Sequence, residues 1–271
     1  AGPGLIVCLS VGLSFGKAFA ASIDKPFIAV NHLEGHALSP KLNSKLDYPY
    51  LLLLISGGHS QYLSVKNLSE YKRLGTTIDD AVGEAFDKTA KILNLGYPGG
   101  PNIEKFSKLG DKNSYVLPQP IINRGGCNLS LSGLKTDVLR KSKNIKSDQD
   151  KYNLAASFQE TINKILRKKT EIAMLEFRQK TSNNSTSPFV VAGGVAANET
   201  IRKNLKDLSK KMNFKPIFPS KEFCGDNAAM IAWAGIQRYK KKLFNKKSEI
   251  VRSRWPLDSK APFLKGPGLK L

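Results

Sequence analysis

His32 and His36 stand four residues apart in His32-Leu33-Glu34-Gly35-His36. On a helix that spacing puts both imidazoles on one face, where a single metal ion can take two ligands from one turn. The chain has three histidines, and the competing reading is a pair of packing or surface imidazoles. A zinc peptidase of the HExxH type needs its glutamate directly after the first histidine, aimed at the metal-bound water. Leu33 occupies that position and Glu34 projects elsewhere on the helix, which argues against a peptidase. Two imidazoles need a third donor, and a distant carboxylate would suit iron(II) or zinc. Asp226, in Cys224-Gly225-Asp226-Asn227, is the candidate, with a helix N-cap as its alternative role.

Two further patterns point to a phosphorylated ligand. A buried apolar run enters a glycine pair twice, as LLLLISGG (51–58) and FVVAGG (189–194). Glycine has no Cβ, so backbone N–H groups in such turns can approach a ligand closely. Two turns of this kind, facing each other across a cleft, would hold one nucleotide from both sides; the alternative is a pair of tight strand turns. Asp79, Asp80, Glu84 and Asp87 crowd one segment, with Asp80, Glu84 and Asp87 spaced for one helical face. They read either as a solvated acidic face or as carboxylates that accept hydrogen bonds from a ribose or an amine. The YPGGP run (97–101) would let backbone approach the same ligand.

The elements that must position these groups follow from periodicity. A small-residue helix is expected over 4–22, a strand over 26–30 and a short helix from about residue 31 carrying the histidine pair. The run 50–55 and the resumption 61–65 predict a hairpin. A helix over about 77–95 ends at Gly96, followed by a loop at YPGGP. Residues 124–136 read as loop or short strands, and 141–152 as loop. A helix over 153–177 has Leu154, Phe158, Ile162, Ile165, Ile172 and Leu175 on one face. A flexible linker is expected over 179–188, a strand over 189–192, an amphipathic helix lined by Ile201, Leu205, Leu208 and Met212, and a strand over 215–218. The helix after Asp226 is apolar on nearly every face and is expected to be buried.

Composition narrows the class. The chain has 271 residues, 41% of them apolar, and a formal net charge of +21. That is enough for one large domain or two modest lobes. No apolar run approaches the ~20 residues of a membrane span. Cys8, Cys127 and Cys224 lie far apart without a CxxC pair, which suggests a reducing, cytoplasmic setting. The N-terminal stretch imitates a signal peptide, but it lacks a basic leader and Lys17 interrupts it. The charge is one-sided: residues 1–100 carry 9 basic and 8 acidic groups, residues 101–271 carry 34 and 14. Such a field attracts polyanions, nucleic acid first among them. Of the 43 basic residues 34 are lysine, a bias that an A+T-rich genome would also produce.

HLEGH, LISGGHSQ, IDDAVGEAFDKTAK, YPGGP, LSGLKT, VAGGVAAN and EFCGDNAAMIAWAG, in this order, resemble the tRNA N6-adenosine threonylcarbamoyltransferases of the Kae/TsaD family, formerly described as O-sialoglycoprotein endopeptidases. The resemblance covers about residues 1–256. It implies an α/β ASKHA (actin/Hsp70/sugar-kinase-like) fold of two lobes around a nucleotide cleft. It implies transfer of the threonylcarbamoyl group from threonylcarbamoyl-AMP to N6 of the adenosine 3′ of the anticodon, in tRNAs reading codons that begin with A. Carried over by motif, His32, His36 and Asp226 would hold one divalent metal ion per subunit, iron(II) ahead of zinc. Leu54, Ile55, Ser56, Gly57 and Gly58 would form the first substrate loop, Asp87 and Gly100 would contact the ribose side, and Asn198 the nucleotide; Glu104 stands where many relatives have an acidic contact. The implied partners are tRNA, a catalytically inactive TsaB-like paralogue and a TsaE-like ATPase, with no membrane.

Relatives open on a strand with a GIE-[ST]-S-C-D-E-T-like motif that has no counterpart here; this chain starts at their AGPGL. It is therefore expected to be a fragment or the product of a shortened reading frame, with an incomplete first lobe. The expected division is residues 1–48 with 223–256 as the remnant of lobe I, 49–222 as lobe II and 257–271 as a tail. RSRWPLD (252–258) also lacks the second proline usual in relatives. The alternative function is a truncated nucleotide-binding or interaction module impaired in catalysis.

Overall fold

The computed structural model describes residues 1–181, 186–245 and 248–262. The apolar run at 50–55 forms β1 (Tyr50–Ile55), buried along its whole length. A strand apolar at every position needs cover on both faces, and this one has it. Leu51, Leu53 and Ile55 enter the larger core, while Tyr50, Leu52 and Leu54 enter the smaller one behind the sheet. β2 (Ser60–Asn67) and β3 (Glu70–Thr76) continue as an antiparallel meander. On the other side β4 (Ser187–Ala192) and β5 (Phe214–Ile217) run parallel to β1, giving the order β3-β2-β1-β4-β5.

The helices fall on both faces. α3 (Val82–Ile92), α4 (Gly99–Ser107), α5 (Ser132–Ser142), α6 (Asp148–Thr181) and α7 (Glu199–Lys211) build the larger core. α2 (His32–Leu38) lies on the opposite face, packed against α8 (Ala228–Lys240). Their approach is close because Gly35 has no side chain: a Cβ there would stand 2.9 Å from Ile231 Cδ1. α1 (Ile6–Ser22) precedes them and buries none of its residues. No helix among the described residues is long and apolar enough to cross a membrane.

Several expectations change. The segment 26–30, expected as a strand, has no regular secondary structure and joins no sheet among the described residues; Ala29 N donates to the Asn245 side chain instead. β3 and α5 were not foreseen, and α4 starts inside the YPGGP run read as a loop. Proline and glycine are tolerated there because the first turn of a helix leaves its N–H groups free. α8, expected to be buried, hides only Met230 and Ala234. Within the span expected as a tail, Leu257 packs on the smaller core and Asp258 accepts a hydrogen bond from Arg73 N at 2.8 Å; residues 263–271 of that span lie outside the described residues. Residues 182–185 of the expected linker also lie outside them.

Candidate active site

Asn31 starts α2 by accepting from Leu33 N at 2.8 Å, which sets the helix so that His32 and His36 face α8. On the other side the N-cap of α8 is Asn227, accepting from Met230 N at 2.8 Å. The neighbouring Asp226 is thereby released from capping, and its Oδ1 lies 3.3 Å from His32 Nε2 and 3.0 Å from His36 Nε2. One donor atom from each residue lies within 4.8 Å of the other two. A first-row ion bound at about 2.0–2.2 Å separates adjacent donors by about 3–3.5 Å, so the set has the size and chemistry of a metal-ligand triad. The hydrogen bonds from His32 and then His36 hold the Asp226 carboxyl well below the usual carboxylate range, overriding its partial burial. His36 is fully buried and its Nδ1 has no hydrogen-bond partner among the described residues, so packing and the Nε2 contact orient the ring.

Glu34 faces away from this cluster. It is 2% exposed and pairs with Arg238 Nη1 at 3.3 Å, joining α2 to the far end of α8. No carboxylate is thus aimed from α2 at a water on the triad, which removes the peptidase geometry. Burial pushes the Glu34 carboxyl up to about 7, against the opposing pull of Arg238 and the Tyr71 hydroxyl. An acid whose folded value exceeds its unfolded one costs nothing below the unfolded value of 4.5, and costs progressively more until about 7. Glu34→Gln should therefore gain on the wild type by on the order of 2–3 kcal/mol across that window. Denaturant titrations at pH 5 and pH 8, with chelator present, measure the gap; parallel pH profiles would refute it.

β1 and β4 are neighbours and parallel, with Leu54 opposite Ala192, so both glycine turns emerge at the same end of the sheet. They stand side by side, not on opposite walls. Gly193 has φ +97°, and a Cβ on it would sit 2.3 Å from Ile55 O. Beside them opens a cavity of about 260 Å³. Gly57, Asp87, Gly100, Glu104 and Asn198 line it, with Gly83, Phe86, Tyr97, Pro98, Pro101, Gly194, Val195 and Ala197. Leu54 and Ile55 are not in that lining: alternation along β1 sends their side chains into the two cores. Ser56 is buried and turns the chain, exchanging hydrogen bonds with His59, and Gly58 is exposed beyond the cavity.

The polar groups of the lining differ in what they have left to offer. Asp87 Oδ1 accepts from Gly99 N at 2.9 Å, pinning the start of α4, which leaves its second oxygen without a partner among the described residues. Asn198 is held at both ends of its amide, its Oδ1 capping α7 at Ile201 N and its Nδ2 donating to Gln159, with one further N–H left to offer. Glu104 Oε1 accepts from Glu199 N at 2.7 Å and Thr200 N at 3.2 Å, an anion on the positive end of α7. Asp79 takes three hydrogen bonds from Ser130, Leu131 and Ser132 to start α5, and Asp80 pairs with Lys88 and Lys135. Both are structural.

Sequence reading passed over His59, the residue after the first glycine turn. Burial lowers its pKa, helped by positive charge on His32 and His36 and opposed by Asp226. The turn 56–59 therefore spans the two halves of the site, with Gly57 on the cavity and His59 in the field of the triad. The signal was present in SGGH, but nothing local tied that histidine to the other two. Phe86, Tyr97 and Val195 were also unassigned; an apolar wall has no signature distinct from a core.

The fold and site define the class: an α/β ASKHA-type protein with a glycine-edged cavity at the carboxyl ends of parallel strands and a two-histidine, one-aspartate cluster beside it. The sequence pattern of the family described as "TsaD: tRNA N6-adenosine threonylcarbamoyltransferase" matches residues 1–233. The chain is 64% identical over 271 residues to the tRNA N6-adenosine threonylcarbamoyltransferase of Pelagibacter ubique (strain HTCC1062), covering 100% of this chain and 76% of that protein. It is 51% identical over 259 residues to the protein of that name from Rickettsia rickettsii (strain Sheila Smith), covering 95% and 75%. The chain belongs to the tRNA N6-adenosine threonylcarbamoyltransferase family. Among solved structures it resembles full-length HypF in the phosphate- and nucleotide-bound form, with a TM-score of 0.60 and 15% identity, covering 82% of this chain and 37% of that one. The HypF of T. kodakarensis gives a TM-score of 0.59, and the chain spans 39% of it.

Proposed function

We propose that this chain transfers a threonylcarbamoyl group from threonylcarbamoyl-AMP to N6 of the adenosine 3′ of the anticodon, in tRNAs whose codons begin with A. Family membership at 64% identity carries the reaction class. The observation that supports the site is the juxtaposition of a glycine-edged cavity with the His32, His36 and Asp226 cluster.

The donor is a mixed anhydride, and AMP is a good leaving group. The adenosine amine adds to the carbamoyl carbon, the bond from that carbon to the phosphate oxygen breaks, AMP departs and the amine gives up a proton. The protein must hold the phosphate, orient the carbonyl and aim the amine. Gly57, Gly100 and Gly194 leave backbone open to the phosphate and sugar, and the free oxygen of Asp87 accepts from a ribose hydroxyl. Phe86, Tyr97, Pro98 and Val195 offer an apolar wall for the adenine and exclude water from the anhydride. His32, His36 and Asp226 would hold one divalent ion, iron(II) ahead of zinc by the family resemblance, and two imidazoles with a carboxylate would leave positions open on either metal; when bound, it supplies Lewis acidity. The acceptor base lies in a single-stranded loop, where it can leave its stack and enter a pocket. A TsaB-like paralogue and a TsaE-like ATPase are the expected protein partners.

The test is an assay with donor, unmodified tRNA and this chain together with those partners, read by mass spectrometry of the digested nucleosides. N6-threonylcarbamoyladenosine is expected, and its formation should be lost in Asp226→Ala. AMP binding without any modified nucleoside would support the impaired binding module instead.

A further inference from the structure

Beyond the cavity the sheet ends at β5, an edge strand, and a second recess of about 490 Å³ runs along it. Its walls come from three separate segments: Lys45 after α2, Arg202 and Lys206 on α7, and Lys215 with Phe218 at β5. No acidic side chain among the described residues lines it. Lys45, Lys206 and Lys215 are exposed, and among the described residues none of the three makes an ion pair. Unpaired lysines are common on this surface; what sets these apart is that three of them line one groove. Three unmatched ammonium groups converging on one groove cost electrostatic energy, which a bound polyanion would recover.

The floor of the groove is rigid and tied to the active site. Arg202 donates to Ala196 O and Pro219 O, and its Nη2 lies 3.0 Å from Cys224 Sγ, two residues before Asp226. Its guanidinium stands 5.1 Å from the centre of the Phe218 ring and the Lys206 ammonium 5.6 Å, so cations and an aromatic face share one surface. The opposite lip is joined to it by the Asn43 to Ser220 hydrogen bond. One turn of α7 before Arg202, Asn198 lines the donor cavity. The groove thus leads from the sheet edge to the segment carrying a triad residue.

We propose that this groove binds the phosphodiester backbone of the acceptor RNA next to the modified nucleotide, with Lys45, Lys206 and Lys215 neutralising phosphates. The inference rests on the transferase reading above. Phosphate contacts release counterions, so affinity falls with salt by about 0.7–0.9 log units per log unit of salt for each phosphate neutralised.

Fluorescence anisotropy of unmodified tRNA with the full chain tests it, comparing a Lys45→Ala, Lys206→Ala, Lys215→Ala variant with a control of equal charge change. The control replaces the exposed Lys72, Lys143 and Lys146, none of which lines the groove, with Ala. The groove variant should bind tRNA at least about tenfold more weakly at 0.1 M salt, with a salt slope smaller by about 2. Its KM for tRNA should rise while kcat holds, and the control should stay within about twofold of wild type. Equal losses in both variants would mean bulk charge alone and overturn the proposal, as would unchanged tRNA binding with lost binding of an acidic protein partner. Transfer by the groove variant at the wild-type KM would sink the groove and leave the reaction standing. tRNA binding that depends on the groove, in a chain that transfers nothing, would do the reverse.

Discussion

His36→Ala should abolish binding of a divalent metal at the site proposed above. His36 supplies a buried imidazole whose Nε2 lies 3.0 Å from Asp226 Oδ1, and with it gone only His32 and a largely exposed carboxylate remain. Changing groups that merely orient a ligand lowers metal affinity about 10–100-fold, so losing a ligand should cost more than about 100-fold. Elemental analysis of purified protein, followed by titration with iron(II) and zinc, reads the effect directly. His32→Ala should remove metal as effectively yet differ in stability. His32 is 30% exposed at its side chain and His36 is 0% exposed, so only the His36 change leaves a void in packed surroundings. A lower Tm for His36→Ala than for His32→Ala, both measured in chelator, is the expected pattern. Full metal occupancy in His36→Ala would dissolve the triad.

Gly193→Ala should be the most damaging single-methyl change at the site. The residue has φ +97°, outside what an L side chain adopts readily, and the added Cβ would meet Ile55 O at 2.3 Å. The backbone term costs about 1–2 kcal/mol and the overpacking about 1–3 kcal/mol. At roughly 2–4 °C per kcal/mol for a chain of this size, Tm should fall by about 4–20 °C. The clash lies between the two turns that edge the cavity, so relief must move one of them, and calorimetry should show weakened AMP binding in whatever fraction stays folded. Gly58→Ala is the internal comparison. Nothing lies within 4 Å of a Cβ at Gly58 and its φ is not positive, so Tm should be unchanged. Equal Tm values for the two variants would show that β1 and β4 do not meet this way.

Much of the frame was readable along the chain because it is written in local periodicity. The uninterrupted run at β1 demanded cover on both faces, and Ile201, Leu205 and Leu208 face inward from α7 as their spacing predicts. What escaped prediction is held by distant partners. α5 starts where Asp79, some fifty residues upstream, accepts from Ser130, Leu131 and Ser132. α4 starts in a Gly-Gly-Pro run because Asp87 on α3 accepts from Gly99 N. α8 is apolar around its circumference but meets α2 along a narrow strip permitted by Gly35, which leaves Ile236 45% exposed.

The same division runs through the site. Spacing alone put His32 and His36 on one helical face, and glycine chemistry alone marked the two turns, since each depends on residues within a turn or two of one another. Whether Asp226 would cap a helix or face the imidazoles could not be decided locally, because Asn227 beside it is an equally good cap. The packing of α2 on α8 decided that, and the parallel pairing of β1 with β4 put the glycine turns side by side. Both are contacts between segments more than a hundred residues apart, set by which apolar faces bury each other, a choice that no window of sequence contains.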